Sequence, residues 1–151
     1  DDCQRLVKEA FADVDLNRAL TLSSANSINI ARLLPQAIYY FYAYSRLASI
    51  SKPVVFSVPS GNYGNLTAGL LAKKSGLPVS RFIAAANRND VVPEYLLTGV
   101  FSPRPSVMTI SNAMDVGNPS NFARMLEMYG QSHDKMKSDI QGYSFSDDQT
   151  G

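Results

Sequence analysis

Residues 53–65 read PVVFSVPSGNYGN, a compact apolar run followed by a polar segment that contains two glycines. The β-branched and aromatic residues of the run predict a buried strand, and the segment 60–65 predicts a loop. A helical stretch follows at 66–75, where Gly76 and Pro78 end it. This strand-loop-helix unit decides the fold, because its repetition along a chain predicts a parallel sheet covered by helices.

Upstream of this unit, the residue pattern predicts an amphipathic helix at 2–12, a short strand at 19–22 and an apolar helix from about residue 28. That third element is apolar nearly all round, which predicts burial against a sheet. Pro35 lies inside it and predicts a kink, because proline lacks the N–H that would bond to the preceding turn.

Downstream of the unit, the sequence predicts a strand at 81–85, a short helix from about residue 92 to Gly99 and a possible short strand at 107–110. Asn118 and Pro119 predict the start of a further helix that Gly130 ends. The alternation predicts an α/β fold with three layers, a mostly parallel sheet and helices on both faces. We expect residues 1–130 to form this part and residues 131–151 to form a polar, frayed or truncated C-terminal segment.

Composition narrows the function classes. The 151 residues include 45% hydrophobic and 18% charged residues, which is enough apolar area for one domain with a core. A formal net charge of +1 gives no electrostatic footprint for nucleic acid or an anionic membrane surface, and no apolar run is long enough to span a membrane.

The single cysteine, Cys3, favours a reducing compartment, so the cytoplasm is the expected location, and no residue spacing suggests a metal site. The first residues have neither an initiator methionine nor a signal-peptide pattern, which suggests the interior of a longer chain.

Ligands of an open parallel sheet bind beyond the carboxyl ends of its strands, where loops lead into helices. The sequence places three such junctions at 23–29, 60–65 and 87–90, all rich in small polar and amide side chains. Gly61 and Gly64 allow a close backbone approach directly ahead of a helix dipole, where free amides would hold a phosphate. The same glycines also fit a tight turn with no ligand, and the motif alone does not separate the two interpretations.

Longer stretches resemble a known family. The segment 60–69, SGNYGNLTAG, is similar to the pyridoxal-phosphate (PLP) phosphate-binding loop of threonine synthases, in the tryptophan-synthase-β-like group of PLP enzymes. The resemblance runs from residue 1 to about 129 and includes four further segments in order: SANSINI at 24–30, RFIAA at 81–85 with Asn89 and Asp90, NAMDV at 112–116 and PSN at 119–121.

The resemblance implies a PLP fold type II domain and the conversion of O-phosphohomoserine and water to threonine and phosphate. It assigns the cofactor phosphate to the backbone amides of Gly61, Asn62, Tyr63, Gly64 and Asn65. It assigns substrate contacts to Ser27, Asn29, Asn89 and Asp90. Helix capping is the alternative role for Ser27 and for the set Asn87, Asn89 and Asp90, and an ordinary exposed position is the alternative for Asn29. A structural turn is the alternative for Asn112 and Asp115.

The chain does not contain the lysine that the family uses to form a Schiff base with PLP, because none of its lysines has the family's Ser-Phe-Lys-Asp type of setting. The leading hypothesis is therefore a fragment of threonine synthase that is inactive alone and whose partners are the N- and C-terminal parts of the same enzyme. Two alternatives stay open. One is a freestanding regulatory domain that binds a phosphorylated metabolite, and the other is an interaction module with an exposed aromatic helix face.

Overall fold

The computed structural model describes residues 2–24, 29–47 and 51–150, and within the first helix it describes the side chains from Arg5 onward. The helices are α1 (Asp2–Ala12), α2 (Val14–Ala19), α3 (Leu33–Ser45), α4 (Gly64–Lys74), α5 (Val91–Thr98), α6 (Phe122–Met128), α7 (His133–Asp139) and α8 (Asp147–Thr150). The strands are β1 (Val54–Pro59), β2 (Val79–Ala86) and β3 (Ile140–Ser144). Two 3-10 turns, Ile30–Arg32 and Asn112–Met114, complete the regular structure of these described residues.

The three strands form one sheet in the order β1-β2-β3, with both pairs parallel. Val58 lies opposite Ala84, and Ala84 lies opposite Gly142, so the carboxyl ends of the strands meet at one edge. The predicted α/β fold with a parallel sheet is therefore confirmed. The sequence did not predict β3, because its residues Ile140–Ser144 contain a glycine and bury only Ile140.

The core lies around α4, β2 and α5. Six residues of α4 are buried, and Phe82 of β2 lies at the centre, fully buried. Tyr40 packs edge-on against Phe56 and Phe82, with ring centroids 5.1 and 5.8 Å away. Because apolar burial is the main favourable term in folding, this cluster is what fixes the loop that precedes α4.

The structure corrects three predictions before β1. Residues 20–22 form no strand, and instead Asp13 caps α2 by accepting a hydrogen bond from the Leu16 amide at 2.8 Å. The apolar helix begins at Leu33, so Pro35 lies in its first turn, where a missing N–H breaks no helical hydrogen bond and the expected cause of a kink is absent. The prediction of general burial was also wrong, because Leu33 is the only buried residue of α3.

The segment after α5 differs from expectation as well. Residues 107–110 form no strand and are held by side-chain hydrogen bonds. Helix α6 starts at Phe122 instead of Pro119, with Asn121 at the cap position. Among the described residues, no helix has both the length and the apolar character that a membrane span requires.

Candidate functional site

A cavity of about 370 Å³ opens at the carboxyl edge of the sheet. Its wall includes the last residue of β1, Pro59, and the residue that follows β2, Asn87. Other lining residues come from β2, the 3-10 turn at 112–114 and the stretch after β3: Ala85, Ala86, Ser111, Met114, Phe145, Gln149 and Thr150. This is the place where a parallel sheet binds ligands.

The loop 60–65 leaves β1 at this edge and is anchored to both neighbouring elements. The Ser60 amide donates to the Ala85 carbonyl of β2 at 2.9 Å. The Asn65 side chain donates to the Pro59 carbonyl at 2.7 Å and accepts from the Leu66 amide at 2.9 Å. Asn65 therefore uses its side chain to close the loop, which leaves only its backbone for a ligand.

Two further contacts join the loop to the segments that resemble threonine synthase. A Cβ on Gly61 would lie 2.7 Å from the Met114 Cα, so only glycine permits the loop to lie this close to the turn at 112–114. The Asn62 carboxamide oxygen accepts from the Ser120 amide at 2.7 Å and from the Ser120 hydroxyl at 3.1 Å. Segments that are about 50 residues apart in sequence thus meet at one place.

Tyr63 sets the direction of the loop. Its φ of 61° lies in the left-handed region, which is uncommon for a residue with a side chain. Its ring is 1% exposed and packs in the core, and its hydroxyl has no hydrogen-bond partner among the described residues. Burial, with a smaller effect from the Asp90 charge, raises the pKa of Tyr63. The buried ring holds the strained backbone in place at the start of α4.

The amides at the start of α4 are suited to an anion. The first four N–H groups of an α-helix have no partner within the helix. The Leu66 amide bonds to the Asn65 side chain, and the Thr67 amide bonds to the Tyr63 carbonyl at 2.9 Å. The amides of Gly61, Tyr63, Gly64 and Asn65 donate to no acceptor within the described residues. Four donors at the positive end of an 11-residue helix fit a phosphate group.

The third junction, 87–90, forms a buried polar network. Asn87 and Asn89 are each 4% exposed. The Asn89 carboxamide donates to the Val107 carbonyl at 2.8 Å and accepts from the Val107 amide at 2.7 Å. Asp90 pairs with Arg104, which also bonds to Glu94 at 2.6 Å. These contacts brace the junction, and a direct substrate contact by Asn89 or Asp90 stays a prediction.

The first junction is described only in part, because Ser27 lies outside the described residues. Asn29 caps the 3-10 turn Ile30–Arg32: its side-chain oxygen accepts from the Ala31 amide at 3.0 Å. Its side-chain nitrogen donates to the Ser24 carbonyl at 3.1 Å. The sequence offered an ordinary exposed position as the alternative role of Asn29, whereas the structure has it half-buried as the cap of this turn. Its contact with a substrate stays a prediction.

Sequence reasoning did not single out Thr109, Ser111 or Arg104, although all three connect to predicted site residues. The Thr109 hydroxyl bonds to Asp115 at 2.7 Å, and the Ser111 hydroxyl accepts from Asn87 at 3.0 Å. No local pattern marks such residues, because their partners lie 6 to 24 positions away. No lysine of the described residues lines the cavity. In the same part of the chain, no group of three or more metal-ligating side chains could hold a metal ion.

No family model matches the chain. The chain is 53% identical over 151 residues to threonine synthase of Escherichia coli, covering 99% of the chain and 35% of that relative. It is 56% identical over 130 residues to threonine synthase of Haemophilus influenzae, covering 85% of the chain and 31% of that relative.

Solved structures agree with these similarities. The E. coli threonine synthase structure matches with a TM-score of 0.89 at 48% identity, over 98% of this chain and 35% of that one. The PLP-bound threonine synthase structure from Brucella melitensis matches with a TM-score of 0.84 at 35% identity, over 99% of this chain and 38% of that one. The chain thus spans about a third of the length of the relatives it matches.

Proposed function

We propose that this chain, a threonine synthase homologue over nearly its whole length, is the part of such an enzyme that holds the phosphate of PLP. The whole enzyme would convert O-phosphohomoserine and water to threonine and phosphate as a carbon–oxygen lyase. The observation that carries the proposal is the set of amides of Gly61, Tyr63, Gly64 and Asn65, which donate to no acceptor within the described residues. They lie at the start of α4, beside the carboxyl edge of the sheet.

The contacts of the loop 60–65 indicate different roles for its residues. The amides of Gly61, Tyr63, Gly64 and Asn65 would bind phosphate oxygens, aided by the helix dipole. Asn62 contributes as well by holding the loop against Ser120. When bound, PLP would supply the electron sink for the reaction, and the protein would supply orientation and electrostatics. An acidic side chain at position 65 would keep the acceptor for the Leu66 amide but lose the donor to Pro59.

Substrate binding is assigned to two of the junctions. We propose that Ser27 and Asn29 contact the substrate side of the site. Asn89 and Asp90 would contribute through the junction that they brace, because their polar groups already bond to Val107 and Arg104. In the whole enzyme, Asn29→Ala is expected to raise KM for O-phosphohomoserine with a smaller effect on kcat.

The chain by itself is proposed to be catalytically inactive. Lys73 is engaged by Asp139 at 2.8 Å, and Lys74 lies over the Tyr129 ring at 4.8 Å, so neither amine is available at the cavity. The test is to add PLP, reduce with borohydride and locate covalent cofactor by mass spectrometry. The proposal expects no specific labelling, and stoichiometric labelling of one lysine would overturn it.

The partner of this chain would be the remainder of the same enzyme, and the surface available to it has two parts. The aromatic and aliphatic side chains of α3 are exposed, and β1 pairs on one side only within the described sheet. An exposed apolar face of this kind indicates an interaction surface. We also propose a cytoplasmic location, on the sequence argument from the single cysteine.

The activity is tested with the whole enzyme that contains this chain. The expected result is equimolar threonine and phosphate from O-phosphohomoserine, dependent on added PLP. Tight binding of phosphorylated metabolites with no threonine formation and no dependence on PLP would favour the alternative, a regulatory domain.

A further inference from the structure

A partly buried polar network joins the end of β2 to the segment 107–115. One Asp115 oxygen, Oδ1, accepts from the side-chain nitrogens of Asn87 and Asn89 at 2.8 and 3.1 Å, and from the Thr109 hydroxyl at 2.7 Å. The other oxygen, Oδ2, accepts from the Thr109 amide at 3.0 Å. Three of these partners, Asn87, Asn89 and Thr109, are at most 7% exposed.

This network holds one wall of the carboxyl-edge cavity. Ser111 and Met114 line the cavity and lie between Thr109 and Asp115 in the chain. Residues 107–110 belong to no strand, so no strand ladder fixes this stretch, and its described anchors include the Asn89, Asn87 and Asp115 side chains. The Met114 backbone in turn packs against Gly61, in the loop proposed to bind phosphate.

We propose that Asp115 is a positioning residue for the cofactor site, which holds the 109–114 wall against the loop 60–65 and fixes the Asn87 carboxamide at the cavity. This inference rests on the proposed function. A carboxylate is suited to the task because it accepts at both oxygens and donates at neither. Every group within hydrogen-bond distance of Asp115 in the network is a donor, so Asp115 acts through its neighbours and not on a ligand directly.

The isosteric substitution Asp115→Asn tests this assignment. In either orientation, the new NH₂ group would face a donor: the Thr109 amide on one side, or the Asn87 and Asn89 side chains on the other. A donor left without an acceptor loosens the wall beside the cofactor site, so we expect PLP to bind about tenfold more weakly. The conservative pair Thr109→Ser and Thr109→Val gives a second test, because serine keeps the hydroxyl and valine keeps only the shape.

The experiment uses the whole PLP-dependent enzyme that contains this chain, with PLP affinity measured by titration of the apoenzyme. Hydrogen exchange of the Thr109 amide is measured in the same apoenzyme as a readout of the wall itself. The matched control is Asp15→Asn in α2, whose side chain is 95% exposed. The expected result is faster Thr109 exchange and weaker PLP binding in Asp115→Asn and Thr109→Val, with Thr109→Ser and Asp15→Asn unchanged.

Either of two results with Asp115→Asn would overturn the inference. One is faster exchange at Thr109 with unchanged PLP affinity, which would make the network a structural brace with no influence on the cofactor site. The other is unchanged exchange in Asp115→Asn. If Asp115→Asn does not fold, the PLP affinities of Thr109→Val and Thr109→Ser are compared instead. Equal affinities for these two variants overturn the inference. An unsubstituted enzyme that binds no PLP would refute the proposed function, a separate outcome from equal binding by the variants.

Discussion

Helices α3 and α4 are both apolar and of similar length, 13 and 11 residues, yet they have opposite environments. Helix α4 buries six residues against the sheet and neighbouring helices. Helix α3 buries only Leu33 and leaves five large apolar side chains at least 40% exposed: Leu34, Ile38, Tyr39, Phe41 and Tyr42. An apolar composition therefore predicts that a helix needs a partner, but it does not show that the partner is within the same described chain.

The difference follows from what each helix contacts. Gly69 of α4 lies so close to the sheet that an added Cβ would be 2.7 Å from the Phe82 ring. Helix α3 packs mainly on α4 and reaches the sheet through the Tyr40 ring. The Tyr40 hydroxyl donates to the Asn65 carbonyl of α4 at 2.8 Å. The face of α3 that carries Ile38 and Tyr42 has no such neighbour in the described residues, which fits a chain that spans a third of its relatives.

The largest expected contrast is between two leucines. Leu70→Ala in α4 is expected to lower the free energy of unfolding by about 2–5 kcal/mol, because the side chain is 0% exposed and its removal leaves a cavity. Leu34→Ala in α3, where the side chain is 60% exposed, is the matched control and is expected to change it by less than about 0.5 kcal/mol. Urea denaturation of the chain measures both, and equal losses would contradict the comparison.

Gly69→Ala probes the close contact between α4 and the sheet. The added methyl group would lie 2.7 Å from Phe82 and 2.8 Å from Tyr40, so the rings must move. Overpacking of this kind costs about 1–3 kcal/mol, against a gain of about 1 kcal/mol in helix propensity, so we expect a net loss of roughly 0–2 kcal/mol. Denaturant unfolding is the measurement, and a net stabilisation would show that the contact is loose.

Tyr40→Phe removes the polar contact that ties α3 to the loop 60–65. Loss of the Tyr40 hydrogen bond to Asn65 is expected to cost about 0.5–1.5 kcal/mol. Burial raises the pKa of Tyr40 to about 12. A pKa raised in the folded state contributes stability that is present below the unfolded value of 10 and is lost as the pH rises towards 12.

The pH dependence of stability provides a second test of the Tyr40→Phe prediction. Between pH 10 and pH 12, the unsubstituted protein is expected to lose more stability than Tyr40→Phe, as measured by thermal unfolding. Tyr63 and Tyr129, whose pKa values are also raised, titrate in both proteins and so cancel in the difference. If the two proteins lose stability identically between pH 10 and pH 12, ionisation of Tyr40 does not contribute to the pH dependence.

The smallest effect on stability is expected on the exposed face of α3. Ile38→Ser with Tyr42→Ser replaces side chains that are 64% and 65% exposed, so the free energy of unfolding should change by less than about 0.5 kcal/mol per site. Association of the isolated chain should decrease, because less apolar surface is exposed. Light scattering over a concentration series is the check, and unchanged association would exclude this face as the contact surface.

The sequence predicted secondary structure best where the spacing of apolar residues agrees with the residues that end helices and strands. Helix α1, strand β1, strand β2 and helix α5 were predicted at or close to their observed bounds. The amphipathic period indicates α1, and a proline or glycine marks at least one end of each of the other three. Strand β3 was missed because Gly142 packs beneath Pro93, a requirement that no local pattern expresses. The exposure of α3 could not be predicted, because burial depends on what packs against a helix.

The candidate site likewise has one part that the sequence predicts and one part that it does not. The loop 60–65 is recognisable because its glycines, its position after a strand and its resemblance to a family all occur in one short stretch. The Asp115 network is not, because Asn87 and Asp115 are 28 residues apart and only the fold brings them together. Residues that bind through backbone amides leave a sequence signal in glycine, whereas positioning residues leave none.

Parallel titrations with PLP and with pyridoxal, which lacks the phosphate, test the central claim most directly. The claim is that the loop 60–65 holds the cofactor phosphate through the amides at the start of α4. It predicts that the whole enzyme containing this chain binds PLP at least about tenfold more tightly than pyridoxal and that inorganic phosphate competes with PLP, since charge-assisted hydrogen bonds to phosphate supply the difference. Equal affinity for PLP and pyridoxal, with no competition by phosphate, would contradict the claim.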